Sequence, residues 1–273
     1  MDLTPLPSTP ARNPWATCLL PFLVYMLVGS LEPAAPKPLT DAQLAAPEHI
    51  QRQIAEGTPN RFGLRYKHYP IVYTVKIVLT IAAMLYVLPG YRQFPFRISP
   101  LAIAVGVVGV VLWIWLCSLH LEPKLLAPLG LDAFLGLGAF ADLGTRPAYN
   151  PLEQLKANPA LAYMFLAIRF LGLALVVPVI EEFFLRGFLM RFVQDERWWQ
   201  IPFGQWTPLA AVVGTAVPML MHPAELLAAA VWFSLVTWLM ARTRNIWDCV
   251  AAHAATNFLL GVYVVTQHQW QLW

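Results

Sequence analysis

The sequence predicts an all-α fold, a polytopic transmembrane helical bundle of about seven to eight spans. Three observations carry this. Of 273 residues, 58% are apolar and only 12% are charged, where a soluble domain carries about 25% charged. The apolar residues fall in runs long enough to cross a bilayer, about 20 residues at 1.5 Å each. Eleven Trp and nine Tyr suit the aromatic belts at membrane–water interfaces. The same composition excludes a water-soluble globule and a disordered chain. A scattered net charge of +3 argues against nucleic acid as a partner, because that requires a clustered basic face.

The spans follow in order as Trp15–Leu31, Pro70–Leu88, Ile98–Leu119, Ala160–Ile180, Thr207–Met221, Ala224–Ala241 and Ile246–Thr266. No small-residue cleavage site follows the first run, so it is expected to remain as a span. Residues 32–69 hold Pro33, Pro36, Pro38, Pro47 and Pro59 and are expected to form a proline-rich loop. The stretch Leu125–Leu143 is apolar but Gly-rich and carries Asp132 and Asp142, which suits a re-entrant or interfacial piece. Two regions result: residues 1–150, an N-terminal transmembrane region, and residues 151–273, a C-terminal helical core. Arg92 with Arg97, and Arg242 with Arg244, put their loops in the cytoplasm by the positive-inside rule. With seven spans the 32–69 loop then falls outside despite its basic residues, and an eighth crossing within 125–145 would change the count, so the topology stays open. Cys18, Cys117 and Cys249 form no CxxC pair and read as small buried hydrophobes.

Ionisable groups inside such runs cost about 2.5–3.5 kcal/mol each on insertion scales and are functional candidates by default. The densest set is Glu181, Glu182 and Arg186 in VVPVIEEFFLRGFLMRF. On a helix Glu182 and Arg186 stand four apart on one face, in the favourable order, and form a neutralising ion pair. Glu181 is rotated about 100° away and has no local counter-charge. His222 closes another apolar run, and a histidine there also suits a purely structural role. His253 and Asn257 share a face of the last span, as a reactive pair or as interhelical glue. Lys76 is expected to snorkel to an interface. Glu225 and Asp248 sit where helix N-termini favour an anion. Arg169 lies mid-run with no nameable partner.

Amide hydrolysis needs a base for water and donors for the developing oxyanion. Glu181 with His222 can hold and deprotonate a water, while His253 and Asn257 can donate to the tetrahedral oxygen. No Ser or Cys occupies a nucleophile motif such as GxSxG. Other readings remain open on these residues. Glu181, His222 and His253 have the His₂Glu composition of a zinc protease, without an HExxH motif. A non-catalytic scaffold or immunity-type protein would keep the same helices unused. A transporter would call for paired half-repeats, and none is evident.

EEFFLR (Glu181–Arg186) resembles the EExxxR motif of the CAAX protease and bacteriocin-processing family, and HAATN (His253–Asn257) resembles its HxxxN/D motif. His222 falls where that family's middle histidine belongs, although the usual FxxxH reads PMLMH here, with Pro218 in place of Phe. The resemblance covers roughly residues 155–266. It implies an intramembrane glutamate endopeptidase without metal or other cofactor. Glu181 and His222 would activate water, His253 and Asn257 would form the oxyanion hole, and Glu182 and Arg186 would support the site. Its partners would be the bilayer and a membrane protein or lipidated peptide as substrate. The proline-rich loop and Trp-rich C-terminal half also resemble CAAX-protease-related proteins associated with bacterial exosortase systems. That implies a bacterial inner membrane near protein-sorting machinery.

Overall fold

A computed structural model describes residues 13–35, 45, 47, 57–121 and 149–273. Half of the proline-rich loop and all of the 125–143 segment lie outside the described residues. Among those described there are helices and no strands, as the composition predicts. The helices are α1 (Pro14–Gly29), α2 (Tyr69–Tyr91), α3 (Pro100–Leu119), α4 (Pro151–Gln154), α5 (Pro159–Phe192), α6 (Pro208–Leu220), α7 (Leu226–Thr243) and α8 (Ile246–Gln267).

Much of the proline content is helix punctuation. Asn13–Pro14, Ser99–Pro100, Asn150–Pro151, Asn158–Pro159 and Thr207–Pro208 each open a helix. In each pair the first side chain accepts a hydrogen bond from a first-turn amide. For Asn13 the donor is Trp15 N at 2.9 Å, and for Asn158 it is Leu161 N at 3.2 Å. The proline follows where the missing N–H and fixed φ suit the first turn.

Five helical stretches are long and apolar enough to cross a membrane: Tyr66–Tyr91, Pro100–Leu119, Pro159–Phe192, Pro223–Thr243 and Ile246–Gln267. The protein is therefore an integral membrane protein. Two of the seven expected spans are shorter, α1 at 16 residues and α6 at 13. At 1.5 Å per residue, α6 covers about 20 Å of a hydrocarbon layer about 30 Å thick. Pro208 opens it, and its last turns meet Pro218 and then Pro223. The span expected to stop at Ile180 instead runs 34 residues to Phe192, because the charges that interrupt its apolar run are matched inside the bundle.

α5 is central, touching α1, α2, α6 and α8. It is interrupted by two π-helical stretches, Gly172–Val176 and Phe183–Leu189. Small residues let the outer helices approach closely. α3 packs against α8 where Gly106 faces the Ala252 carbonyl and the Ala255 methyl. Beside this contact Thr256 Oγ1 donates to the Gly106 carbonyl at 2.9 Å. The helix starts are also tied together. Asp248 in the first turn of α8 accepts from Ser99 N at 2.8 Å and from Ser99 Oγ at 3.0 Å.

Candidate active site

The Glu–Glu pair lies on the α-helical stretch Val177–Glu182 of α5, between the two π stretches. Glu182 and Arg186 are both fully buried and form the expected ion pair. Arg186 Nη1 donates to Glu182 Oε1 at 3.3 Å, and Nε lies 3.3 Å from Oε2. Arg186 Nη2 also donates to the Phe233 carbonyl on α7 at 3.1 Å. Such company repays part of the cost of removing two charges from water, although Glu182 Oε2 and Arg186 Nε face each other without a hydrogen bond.

The pair has a third member that local spacing cannot show. His253 Nδ1 lies 2.9 Å from Glu182 Oε1. The carboxylate can only accept, so Nδ1 carries the proton and Nε2 is turned to the other side. There it stands 4.0 Å from Glu181 Oε2. His253 thus bridges the two glutamates, with the edges of the Trp232 and Phe233 rings packed around its imidazole.

Glu181, His222, His253 and Asn257 all line one cavity of about 1460 Å³. Asn257 Nδ2 donates to the Leu173 carbonyl at 2.8 Å, within the π stretch whose wider turn disturbs the regular carbonyl pairing. One of the two amide hydrogens is used there. His222 lies two residues past the end of α6 and caps the turn Pro223–Glu225. Its Nδ1 donates to the carbonyl of Pro218 at 2.8 Å, and its ring packs between Trp113 and Phe233. The proline that stands in place of phenylalanine therefore holds the histidine through its backbone oxygen. Among the described residues, no three His, Cys, Asp or Glu side chains stand in an arrangement that could hold a metal ion.

Two other charges differ from expectation. Lys76 does not snorkel; it is buried, ion-paired with Glu32 at 2.6 Å and set over the Tyr25 and Tyr73 rings. Its stem has no interface to climb to, because α1 covers it. Arg169 is buried too. Its Nη1 donates to the Tyr149 carbonyl at 2.7 Å, and its guanidinium lies over the Trp273 ring. Burial, with Tyr69 alongside, pushes the Tyr149 phenol up to about 12 against the pull of Arg169. Both Lys76 and Arg169 line the cavity that Glu181 lines. The apolar context of Arg169 in the sequence marked it as unusual, but nothing local could place it there.

Residues 163–259 match the family model described as Type II CAAX prenyl endopeptidase Rce1-like. No curated protein and no solved structure matches the chain. The matched segment contains all six residues singled out by the motifs, Glu181, Glu182, Arg186, His222, His253 and Asn257. It supports a CAAX-type intramembrane protease in general, one that acts on membrane-associated substrates. Over residues 163–259 the chain is thus similar to the Rce1-like type of the CAAX protease and bacteriocin-processing family.

Proposed function

We propose that the protein is a glutamate-type intramembrane endopeptidase that hydrolyses a peptide bond of a membrane-associated protein or lipidated peptide. Glu181 takes a proton from a water that His222 helps to hold, and the hydroxide adds to the scissile carbonyl carbon. His253, protonated at both nitrogens, donates from Nε2 to the resulting oxyanion, and Asn257 donates its second amide hydrogen. Glu181 then gives its proton to the leaving nitrogen as the C–N bond breaks. Glu182 accepts from Nδ1 and thereby supports the imidazolium, while Arg186 balances the charge of Glu182. Two carboxylates, one guanidinium and one imidazolium sum to zero, as a low-dielectric site demands. Residues 151–273 supply this chemistry in the proposal, and residues 1–150 help to enclose the cavity. A bacterial inner membrane and neighbouring protein-sorting machinery are the setting implied by the exosortase-associated resemblance.

The observation that carries the reading is the 2.9 Å contact of His253 with Glu182. It joins the EExxxR and HxxxN motifs at the wall of one cavity. The test compares new peptide termini in membranes of cells carrying the native chain or Glu181→Ala at matched levels. Termini that vanish with Glu181 identify both the activity and its substrate. Identical profiles with the protein folded and present replace the protease with a non-catalytic helical scaffold.

A further inference from the structure

Two connections at one end of the bundle are held side by side. Asn245, between α7 and α8, donates from Nδ2 to the Arg97 carbonyl in the α2–α3 connection at 2.8 Å. Trp247 Nε1 donates to the Phe94 carbonyl at 3.0 Å, and the Phe96 ring stands edge-on to the Trp247 ring at 5.1 Å. The α5–α6 connection closes over them. Gly204 packs so tightly on Arg244 that a Cβ there would lie 2.9 Å from Arg244 Cα. Arg97 and Arg244 therefore belong to one spot on the surface. Both are exposed, and among the described residues neither side chain has an ion-pair or hydrogen-bond partner.

The free charge at this spot is of one sign. Arg97 stands two positions before Ser99, the N-cap of α3, and Arg244 immediately before Asn245, the N-cap of α8. Helix starts carry partial positive charge and favour anions, so two cations gathered there repel both each other and the helix ends. The carboxylate at this joint, Asp248, is buried and occupied by Ser99 N and Oγ. Arg92 and Arg242, at the ends of α2 and α7, are exposed and without a carboxylate as well. The patch also lies at headgroup level. Ile98 and Leu101 beside Arg97 are exposed and apolar, and Phe96 and Trp206 are exposed aromatics at 70% and 50%, the pattern of a membrane–water interface. The cavity of the candidate active site reaches the opposite ends of α1 and α2, at Gly29 and Tyr69, and none of the patch residues lines it.

We propose that Arg97 and Arg244 together hold the phosphodiester of an anionic phospholipid whose acyl chains lie along Ile98 and Leu101. A guanidinium presents paired donors that match phosphate oxygens, and basic groups between spans recruit anionic headgroups. A phosphate seated between the two arginines relieves their repulsion and meets the positive starts of α3 and α8. The ligand must be amphipathic, because the cations border an apolar, aromatic-flanked face rather than open water. Arg92 and Arg242 widen the attraction from the rim. This surface lies apart from the residues proposed for catalysis and stands whether or not the chain cleaves peptides.

The test uses the full-length protein purified in a neutral detergent and offered equimolar dioleoyl phosphatidylglycerol and dioleoyl phosphatidylcholine. Lipid retained per folded chain is counted by mass spectrometry. The two lipids share their acyl chains and differ in headgroup charge. Each basic residue beside an anionic headgroup is worth about fivefold in affinity, so the native chain should prefer phosphatidylglycerol by about 25-fold. Arg97→Gln and Arg244→Gln should each lower that preference about fivefold, and the double variant should bring it near unity. Both changes leave the Arg97 carbonyl that Asn245 uses in place. Arg197→Gln removes an equal charge from the α5–α6 connection, but one already paired with Asp195. It should change the preference by less than about twofold.

Equal retention of the two lipids by the native chain overturns the proposal, and that comparison needs no variant to fold. A preference that survives in the double variant overturns it too, by placing the anionic lipid elsewhere. An equal loss with Arg197→Gln reduces the effect to net charge and removes the site. Displacement of phosphatidylglycerol by inorganic phosphate, beyond that caused by chloride at the same ionic strength, assigns the arginines to a free anion and overturns the lipid reading. A step at Arg97 and at Arg244, with none at Arg197, establishes the bound phosphodiester.

Discussion

His253 on α8 meets Glu182 on α5 at 2.9 Å across 71 positions of sequence, and the contact decides what the other charges nearby can do. It fixes the imidazole with Nδ1 toward the buried ion pair and Nε2 toward Glu181, 4.0 Å away. A carboxylate that looks in sequence like a simple counter-charge for Arg186 therefore also orients the histidine.

Glu182→Gln should keep the ring in place but lose the carboxylate that supports its charged form. In the proposed mechanism this lowers turnover by about a hundredfold or more, the usual contribution of a positioned proton donor. Normalising cleavage rates to folded protein measures it. An unchanged rate would show that His253 works neutral.

Arg186→Ala should instead act on the fold. It strands Glu182 in the core with no exposure at all, and breaking such a pair costs about 3–5 kcal/mol. Lower membrane levels and a lower melting temperature are expected. The double change Glu182→Leu with Arg186→Met should recover much of that stability, and none of the activity.

Gly106→Ala tests the α3–α8 contact. A methyl there would sit 2.7 Å from the Ala252 carbonyl oxygen and 2.7 Å from the Ala255 methyl. The obstacle includes backbone, so the helices must separate, at about 1–3 kcal/mol. Ala104→Val, two positions away on the exposed face, should be close to neutral in the same thermal unfolding assay.

Asp248→Ala should loosen the joint between the starts of α3 and α8. It removes both acceptors of Ser99 and leaves a part-buried amide unpaired, at about 1–3 kcal/mol. Asp248→Asn retains one acceptor oxygen and should lose less. Melting temperatures of the two variants, compared at equal lipid content, decide between them.

Much of this architecture is legible locally. Hydropathy marks the long helices, and a capping side chain followed by proline marks where α1, α3, α5 and α6 begin. These signals act within one helical turn or along one apolar run, so they survive without knowledge of neighbours. The Glu182–Arg186 ion pair is local in the same sense, because four positions on a helix suffice to define it. Spacing of this kind failed where a boundary depends on distant company. The apolar run ending at Ile180 continues to Phe192 because its charges are matched from α7 and α8. Lys76 stays buried because α1 brings Glu32 to it.

From the sequence alone, then, come an all-helical membrane protein, the starts of its helices and the six residues that carry the family resemblance. The tertiary structure alone determined that His253 bridges two glutamates, that Asn257 is tied to the Leu173 carbonyl, and that Arg169 lines the same cavity as Glu181. The physical reason is range. Capping, hydropathy and i,i+4 pairing are fixed by a residue's nearest neighbours, whereas a cavity forms only when helices far apart in the chain pack together.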